Sequence, residues 1–252
     1  MDDSLLEQYK KQWKWRNWDS LYSKLPNING SLVYDLGCAH GDHSEKLSSL
    51  GATVIGVDGN PDLLKYARER VIPNSNFYQH DLNNVEELNL HSANGIWTSF
   101  VPAYFPNFST VLKKWKTLLR PGGWLAVTEM SDLLGHEPMS FEAKKWISRF
   151  YEDAFSRNAY DFKSGEKLKS NLELNGFEIK EFSFLEDREL SFEGMANRDI
   201  LTAWKNRFER MGSFKSFLGD RHERIVREIM DCLGSENHTS SCRVYFYLAY
   251  LK

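Results

Sequence analysis

Three short apolar runs early in this chain each end in or lead into an aspartate, and the aspartates are evenly spaced: Asp35, Asp58 and Asp81, 23 residues apart. A repeat of that length has room for one strand, one helix and two short turns. The runs cover residues 32–36, 53–57 and 76–79. Helical patterns lie between them. Residues 43–50 are helical and stop at Gly51, and PDLLKYARERV follows Asn60, which suits an N-cap with Pro61 at the first helical position. Two more strands are expected over residues 95–100 and 124–130. The helix between them, residues 108–119, puts Phe108, Val111, Leu112, Trp115 and Leu119 on one side. Strands alternating with helices predict parallel βαβ units in an open α/β sheet covered on both faces.

In such sheets ligands bind beyond the carboxyl ends of the strands, at the switch point beside the first strand. There the sequence reads VYDLGCAHGDHSEKL, residues 33–47. Gly37, Ala39 and Gly41 let the backbone turn sharply and approach a ligand ahead of a helix N-terminus. Asp58, at the end of the second strand, stands where a ribose-hydroxyl acceptor is expected. Asp81 can accept from an exocyclic amine of adenine.

Other ligands fit this stretch less well. A dinucleotide fingerprint needs a small residue at position 42, and Asp42 would repel a diphosphate. No Gly-Lys-Ser/Thr follows the turn, so it is not a P-loop. Cys38, His40, Asp42 and His43 are metal-ligand types, but no matching Cys/His pair follows downstream, and no metal is expected.

Taken in order, these stretches resemble class I S-adenosylmethionine-dependent methyltransferases. The first motif stands as Asp35-Leu36-Gly37-Cys38-Ala39-His40-Gly41, the second as VIGVDGNPDLL, the third as FYQHDLNN and the fifth-strand signature as LLRPGGWLAVTE. The resemblance covers residues 31–130. Ala39 replaces the middle glycine, and His40 is less usual there. The resemblance implies a Rossmann-like, seven-stranded, mostly parallel sheet with a reversed last strand, here CRVYFYLAYL, with helices on both faces and helical lid insertions. It implies S-adenosylmethionine as cofactor and S-adenosylhomocysteine as product. It assigns Gly37, Ala39 and Gly41 to the methionine and ribose parts, and His40 could contact the methionine part or point to solvent. Asp35 would organise the loop and the ammonium, Asp58 and Gly59 would hold the ribose, and Asp81 and Leu82 the adenine. Ser99 and Phe100 would lie near the sulfonium. His43 is expected to be an ordinary first-turn residue of the helix that follows the loop.

One domain over residues 1–252 is expected. A lid helix spans 1–24, the cofactor core 31–130, helical lid and substrate elements 131–160 and 191–240, and the final strand 241–252. The lid helix, predicted over residues 4–24, carries Tyr9, Trp13, Trp15, Trp18 and Tyr22, and Tyr9 and Trp13 are expected to close over the cofactor. Arg16 could meet a carboxylate. Later helices are expected over 141–155, 164–175 (capped by Ser164), 200–211 and 221–233. The segment 198–227 is basic. It reads as a solvated face around Ile200, Trp204 and Phe208, or, more sharply, as the place where Arg207 or Arg210 binds an anionic acceptor.

Methyl transfer from a sulfonium needs positioning and exclusion of water more than a catalytic side chain. Glu129, His136 and Tyr104 are candidates by location only. SFVPAYFPN lacks the acid or amide and the Pro-Pro pair of base-methylating enzymes. A net charge of −3 gives no basic field for nucleic acid or an anionic membrane. The 8 Trp, 11 Tyr and 16 Phe fill the core or, where they cluster on the helices beyond those a sheet needs for cover, enclose a largely apolar pocket for a small-molecule acceptor. A protein or peptide methylase, or a protein that binds the cofactor without methyl transfer, such as a cyclase or regulatory subunit, are the alternatives. Three cysteines without a CxxC argue for a reducing compartment. With a polar start and an apolar stretch half the length of a membrane span, the expectation is a cytoplasmic monomer or homodimer.

Overall fold

The computed structural model describes residues 3–88 and 92–252; residues 1 and 2 of the expected lid segment lie outside the described residues. In chain order the strands are β1 (Leu32–Leu36), β2 (Thr53–Asp58), β3 (Ser75–Gln79), β4 (Ala93–Ser99), β5 (Leu119–Ser131), β6 (His136–Glu137), β7 (Phe177–Phe184), β8 (Thr239–Ser240) and β9 (Arg243–Leu251). The helices are α1 (Asp3–Trp15), α2 (Asp19–Tyr22), α3 (Asp42–Ser49), α4 (Pro61–Glu69), α5 (Phe108–Trp115), α6 (Phe141–Ser156), α7 (Ser164–Leu174), α8 (Arg198–Arg210), α9 (Gly212–Leu218) and α10 (His222–Leu233).

Seven strands form one sheet in the order β3-β2-β1-β4-β5-β9-β7, with β9 antiparallel to both its neighbours. The rest run parallel, so the expected Rossmann-like sheet with a reversed last strand is present. The strand order turns back between β1 and β4, which opens a crevice at their carboxyl ends. Strand residues alternate between two cores. Val33, Trp97, Ala126 and Phe246 face one; Tyr34, Ile96, Leu125 and Tyr247 face the other. Burial on both faces explains why these runs read as continuously apolar. Helices α5 and α7 cover the second face through Val111, Leu112, Trp115, Leu168 and Leu172. Among the described residues no helix is long and apolar enough to cross a membrane.

The N-terminal segment departs from the single helix expected to residue 24. Helix α1 ends at Trp15, and α2 begins only at Asp19. Between them Arg16 pairs with Asp187 as an antiparallel bridge, with Asn17 N–H donating to Glu186 C=O and Arg188 N–H donating to Trp15 C=O. Those long-range hydrogen bonds replace the helical ones at this point. Trp18 and Tyr22 are buried in the core.

Three smaller differences follow from similar causes. The stretch Arg120-Pro121-Gly122-Gly123, outside the strand expected over residues 124–130, lies within β5 as a bulge: Leu119 pairs with Ala93 and Trp124 with Gly95. Ser164 is the first residue of α7 rather than its cap, since Lys163 occupies the N-cap with no side-chain hydrogen bond. Helix α9 and the two-residue ribbon β6–β8 are additional. A seven-residue helix opened by Gly212 is too short to show a period.

The helices after β5 are part of the core. Phe150, Trp204, Phe208, Phe214, Ile225 and Ile229 join the same buried cluster as the first face of the sheet. At about 25 cal/mol per Å² of apolar surface, burying a large aromatic ring stabilises by a few kcal/mol. Helices α6 and α8–α10 are therefore fixed over the crevice.

Candidate functional site

The loop after β1 is shaped by backbone donors. Gly37 and Cys38 N–H groups donate to Val57 C=O at 2.8 and 3.2 Å, and Ala39 N–H donates to Asp58 Oδ2 at 2.9 Å. Gly37 has φ +79, and a Cβ there would lie 2.1 Å from Val101 Cγ2. Only glycine fits that position. Ala39 also takes a positive φ of 47, and Phe100 after β4 one of 57, so the backbone is strained on both sides of the crevice. The far end of the loop is clamped from the end of α4. Arg70 Nη1 donates to His40 C=O at 3.0 Å and to Asp42 Oδ1 at 2.5 Å, and Nη2 reaches Glu45.

Asp58 is fixed by the same economy: Oδ1 accepts from Asn60 N–H at 2.8 Å while Oδ2 holds Ala39. Two further lone pairs remain on its carboxylate. The turn carrying Asp81 and Leu82 is pinned by α5, where Trp115 Nε1 donates to Leu82 C=O at 2.8 Å and Lys114 Nζ to Asn83 C=O at 2.7 Å.

These strand ends open into one cavity of about 940 Å³. Gly37, Ala39, His40, Asp58, Gly59, Asp81, Leu82, Ser99 and Phe100 line it, as do Tyr9 and Trp13 from α1. Asp35 and Gly41 do not. Asp35 is buried behind the loop, where Ser44 Oγ donates to its Oδ2 at 2.6 Å and burial pushes its carboxyl up to about 7. Gly41 is the αL N-cap of α3, close to Ile72 and Ala67. Both stand behind the loop and shape it from there, and neither lines the cavity as Gly37 and Ala39 do.

The two histidines of the loop are held among the aromatic residues of the N-terminal segment. His40 stacks on Tyr9 with ring centroids 5.5 Å apart, and its Nε2 lies 2.7 Å from Asp42 Oδ2. His43, expected to be an ordinary first-turn residue, lines the cavity inside an aromatic cage of Trp13, Trp18 and Trp97, with Nδ1 2.6 Å from Tyr22 Oη. Burial pushes its pKa down to about 3, so its ring is neutral. No sequence period brings Tyr22 onto His43; the aromatic richness of the N-terminal segment is the only trace.

Of the three catalytic candidates only Tyr104 lines the cavity. Glu129 lies behind it, its Oε2 accepting from Ala103 N–H at 2.9 Å and Oε1 from Met130 N–H at 2.8 Å. His136 is buried beneath α8, with Nδ1 3.0 Å from His238 Nε2. Neither lines the crevice. Glu129 instead braces the loop that carries Tyr104.

At the other end of the cavity, Tyr160, Phe162, Met130 and Leu133 are lining residues that the sequence pattern did not single out. Tyr160 meets Tyr104 edge to face at 5.1 Å, and Phe150, Phe162, Met130 and Leu133 form the apolar wall. Arg16, Arg157, Arg207 and Arg210 line it too. Arg16 meets carboxylates of the protein itself, with Nε 2.7 Å from Asp187 Oδ2 and Nη2 3.4 Å from Glu189 Oε2, and lies 4.4 Å over the Phe100 ring. The basic segment 198–227 thus divides. Arg198, Lys205, Lys215, Arg221, Arg224 and Arg227 are exposed and lie off the cavity, whereas half-buried Arg207 and exposed Arg210 line it. Among the described residues no cluster of three or more His, Cys, Asp or Glu could hold a metal.

An open α/β sheet with an acid at each of three successive strand ends or the turn just beyond, a strained small-residue loop and one deep crevice defines a site for a nucleoside-bearing cofactor. The cradle fits one: Ser99 Oγ and His40 Nδ1 are buried at its wall without a hydrogen-bond partner, as groups awaiting a ligand are. Residues 34–127 match the family described as a methyltransferase domain. A curated relative, a ubiquinone biosynthesis O-methyltransferase from Xanthomonas axonopodis pv. citri, is 24% identical over 157 residues, which is 61% of this chain and 65% of that one. The chain spans about half to two thirds of the length of the curated relatives it matches. An S-adenosylmethionine-dependent methyltransferase from Mesorhizobium loti superposes with a TM-score of 0.55 at 16% identity, covering 92% of this chain and 96% of that one. A phosphoethanolamine N-methyltransferase from Haemonchus contortus, solved with phosphomonomethylethanolamine and S-adenosylhomocysteine, gives 0.54 at 18%, covering 93% and 52%. Over residues 34–127 the chain is similar to the methyltransferase-domain family, and its fold is that of the solved S-adenosylmethionine-dependent methyltransferases.

Proposed function

We propose that this protein transfers a methyl group from S-adenosylmethionine to a small-molecule acceptor by in-line displacement. The observation that carries the reading is the continuity of the cavity: the loop with Gly37 and Asp58 at one end and the aromatic wall with Tyr104 and Tyr160 at the other share one space. Its volume of about 940 Å³ is at the upper end of the 300–1,000 Å³ typical of ligand pockets. That leaves room for a second molecule beside the cofactor, and the helical cover favours a small acceptor over a peptide in an open groove.

On this reading Asp58 accepts from the ribose hydroxyls, and the Asp81–Leu82 turn holds the adenine. Gly37, Ala39 and Gly59 let backbone approach the cofactor, and Ser99 Oγ and His40 Nδ1 gain partners from it. Tyr9 and Trp13 cover it. The cofactor supplies an electrophilic methyl on a sulfonium. The aromatic wall orients the acceptor in line with that methyl and keeps water out, so the chain contributes chiefly position and desolvation. Glu129 and His136 take no proton from the acceptor, because neither faces it.

Calorimetry with S-adenosylhomocysteine tests the cofactor half. Asp58→Ala is expected to lose about 1.5–3 kcal/mol of binding, the range for hydrogen bonds to a charged group, which is ten- to a hundred-fold in affinity. Incubation with methyl-labelled cofactor and a panel of small amines, phenols and acids tests the other half. Label recovered only on protein would reject the small-molecule acceptor.

A further inference from the structure

The charges on the cavity wall are segregated. The lining aspartates, Asp42, Asp58 and Asp81, sit on or beside the loops at the strand ends, and the four lining arginines come from α1's end, α6's end and α8. The carboxylates that hold Arg16 and Arg207 are Asp187 and Glu189, which are buried and do not line the cavity.

Arg207 is held from two sides. Its Nη2 donates to Glu189 Oε1. Glu189 is itself held by Gln12 Nε2 at 3.3 Å and by Arg16. The guanidinium lies 5.1 Å from the Trp204 ring centre. With one edge tied to Glu189 and one face against Trp204, the head group is held in place before any ligand arrives, which lowers the entropy lost on binding. Yet its Nε is buried with no hydrogen-bond partner. A buried donor of a charged group left unpaired is unfavourable, and an incoming oxygen acceptor relieves it. The phenols of Tyr104 and Tyr160 line the same end of the cavity and lie within the field of Arg207. Each can add one O–H donor.

We propose that the acceptor carries an oxyanion, a carboxylate or a phosphate, and that Arg207 binds it while the Tyr104–Tyr160 wall holds its apolar part. This rests on the methyltransferase reading and names the substrate class of that site. Arg207 is a specificity residue here, and Glu189 positions it.

The test uses the full chain saturated with S-adenosylhomocysteine and three probes of matched size: benzoate, phenyl phosphate and benzyl alcohol. Calorimetry is expected to show at least one anionic probe binding at least tenfold more tightly than benzyl alcohol, and the better of the two anions identifies the group. Arg207→Gln should weaken that anion at least tenfold and leave the affinity for S-adenosylhomocysteine within about threefold. Equal binding of benzyl alcohol by the wild-type protein overturns the proposal without any variant, which keeps the test valid if Arg207→Gln does not fold. Anion binding unchanged in Arg207→Gln also overturns it. So does a parallel loss of S-adenosylhomocysteine affinity, which would assign Arg207 to the cofactor's own carboxylate. A wild-type protein that binds no S-adenosylhomocysteine rejects the methyltransferase reading and this one together; one that binds it but no anion rejects this one alone.

Discussion

Glu129 is fully buried, and each of its carboxylate oxygens accepts one backbone N–H, from Ala103 and from Met130. Glu129→Gln would turn one of those oxygens into an NH2 facing an N–H. Unfolding in urea should show a loss of about 1–3 kcal/mol, the penalty of a buried unsatisfied donor. A variant of unchanged stability with lowered turnover would restore Glu129 as a catalytic group. Other residues were readable to different depths. Asp58, Asp81 and Gly37 reach the cavity as their places at strand ends imply. Asp35 and Gly41 belong to the same motif, but a sequence pattern does not record which side of a loop faces the ligand. The settings of His43 and Arg207 were not readable, because Tyr22 and Glu189 reach them only through the tertiary fold.

At the scale of elements, α8 rests on the small ribbon β6–β8. The His136 ring stands edge-on to Trp204 at 5.0 Å and 3.0 Å from His238 through facing nitrogens. Burial, and then the neighbouring imidazole, push His136 down to about 3, and burial lowers His238 as well. A folded-state pKa below the unfolded one means the contribution to stability is present above about 6.5, the ordinary histidine value, and is lost as pH falls toward 3. The urea midpoint should therefore drop between pH 6.5 and 5, with a shallower slope in His136→Phe. Equal slopes in both proteins would show that the pair is not responsible. Regular elements were largely legible, since burial on both faces leaves continuous apolar runs and Asn60 caps α4 through hydrogen bonds to Asp62 and Leu63 N–H. The break after Trp15 was not, because helical periodicity carries no sign of a pairing with Asp187.

At the scale of the molecule, the cavity is closed by a chain of contacts from both ends of the sequence. Arg16 ties α1 to residues 186–189, and Glu189 ties that segment to Arg207 on α8. Ligand binding should then be felt across the clasp. S-Adenosylhomocysteine at a hundred times its dissociation constant should stabilise the protein by about 2.7 kcal/mol. Hydrogen exchange should slow in residues 9–16 and 198–211 together with residues 37–60. Slowing confined to residues 37–60 would mean that the two covers do not answer to the cofactor.

The sheet order also bears on how the protein is made. Strand β9 lies between β5 and β7, although it is the last of the seven to be synthesised. On a ribosome, β5 and β7 each wait with an open edge while residues 185–242 are added, roughly 3–12 s at about 5–20 residues per second. Phe182 and Phe184 are half-exposed even in the finished fold, and a nascent chain presents them beside an unpaired strand. Unpaired strand edges invite pairing with other chains. The interval before β9 arrives is thus when this polypeptide is most exposed to aggregation and has most use for a chaperone.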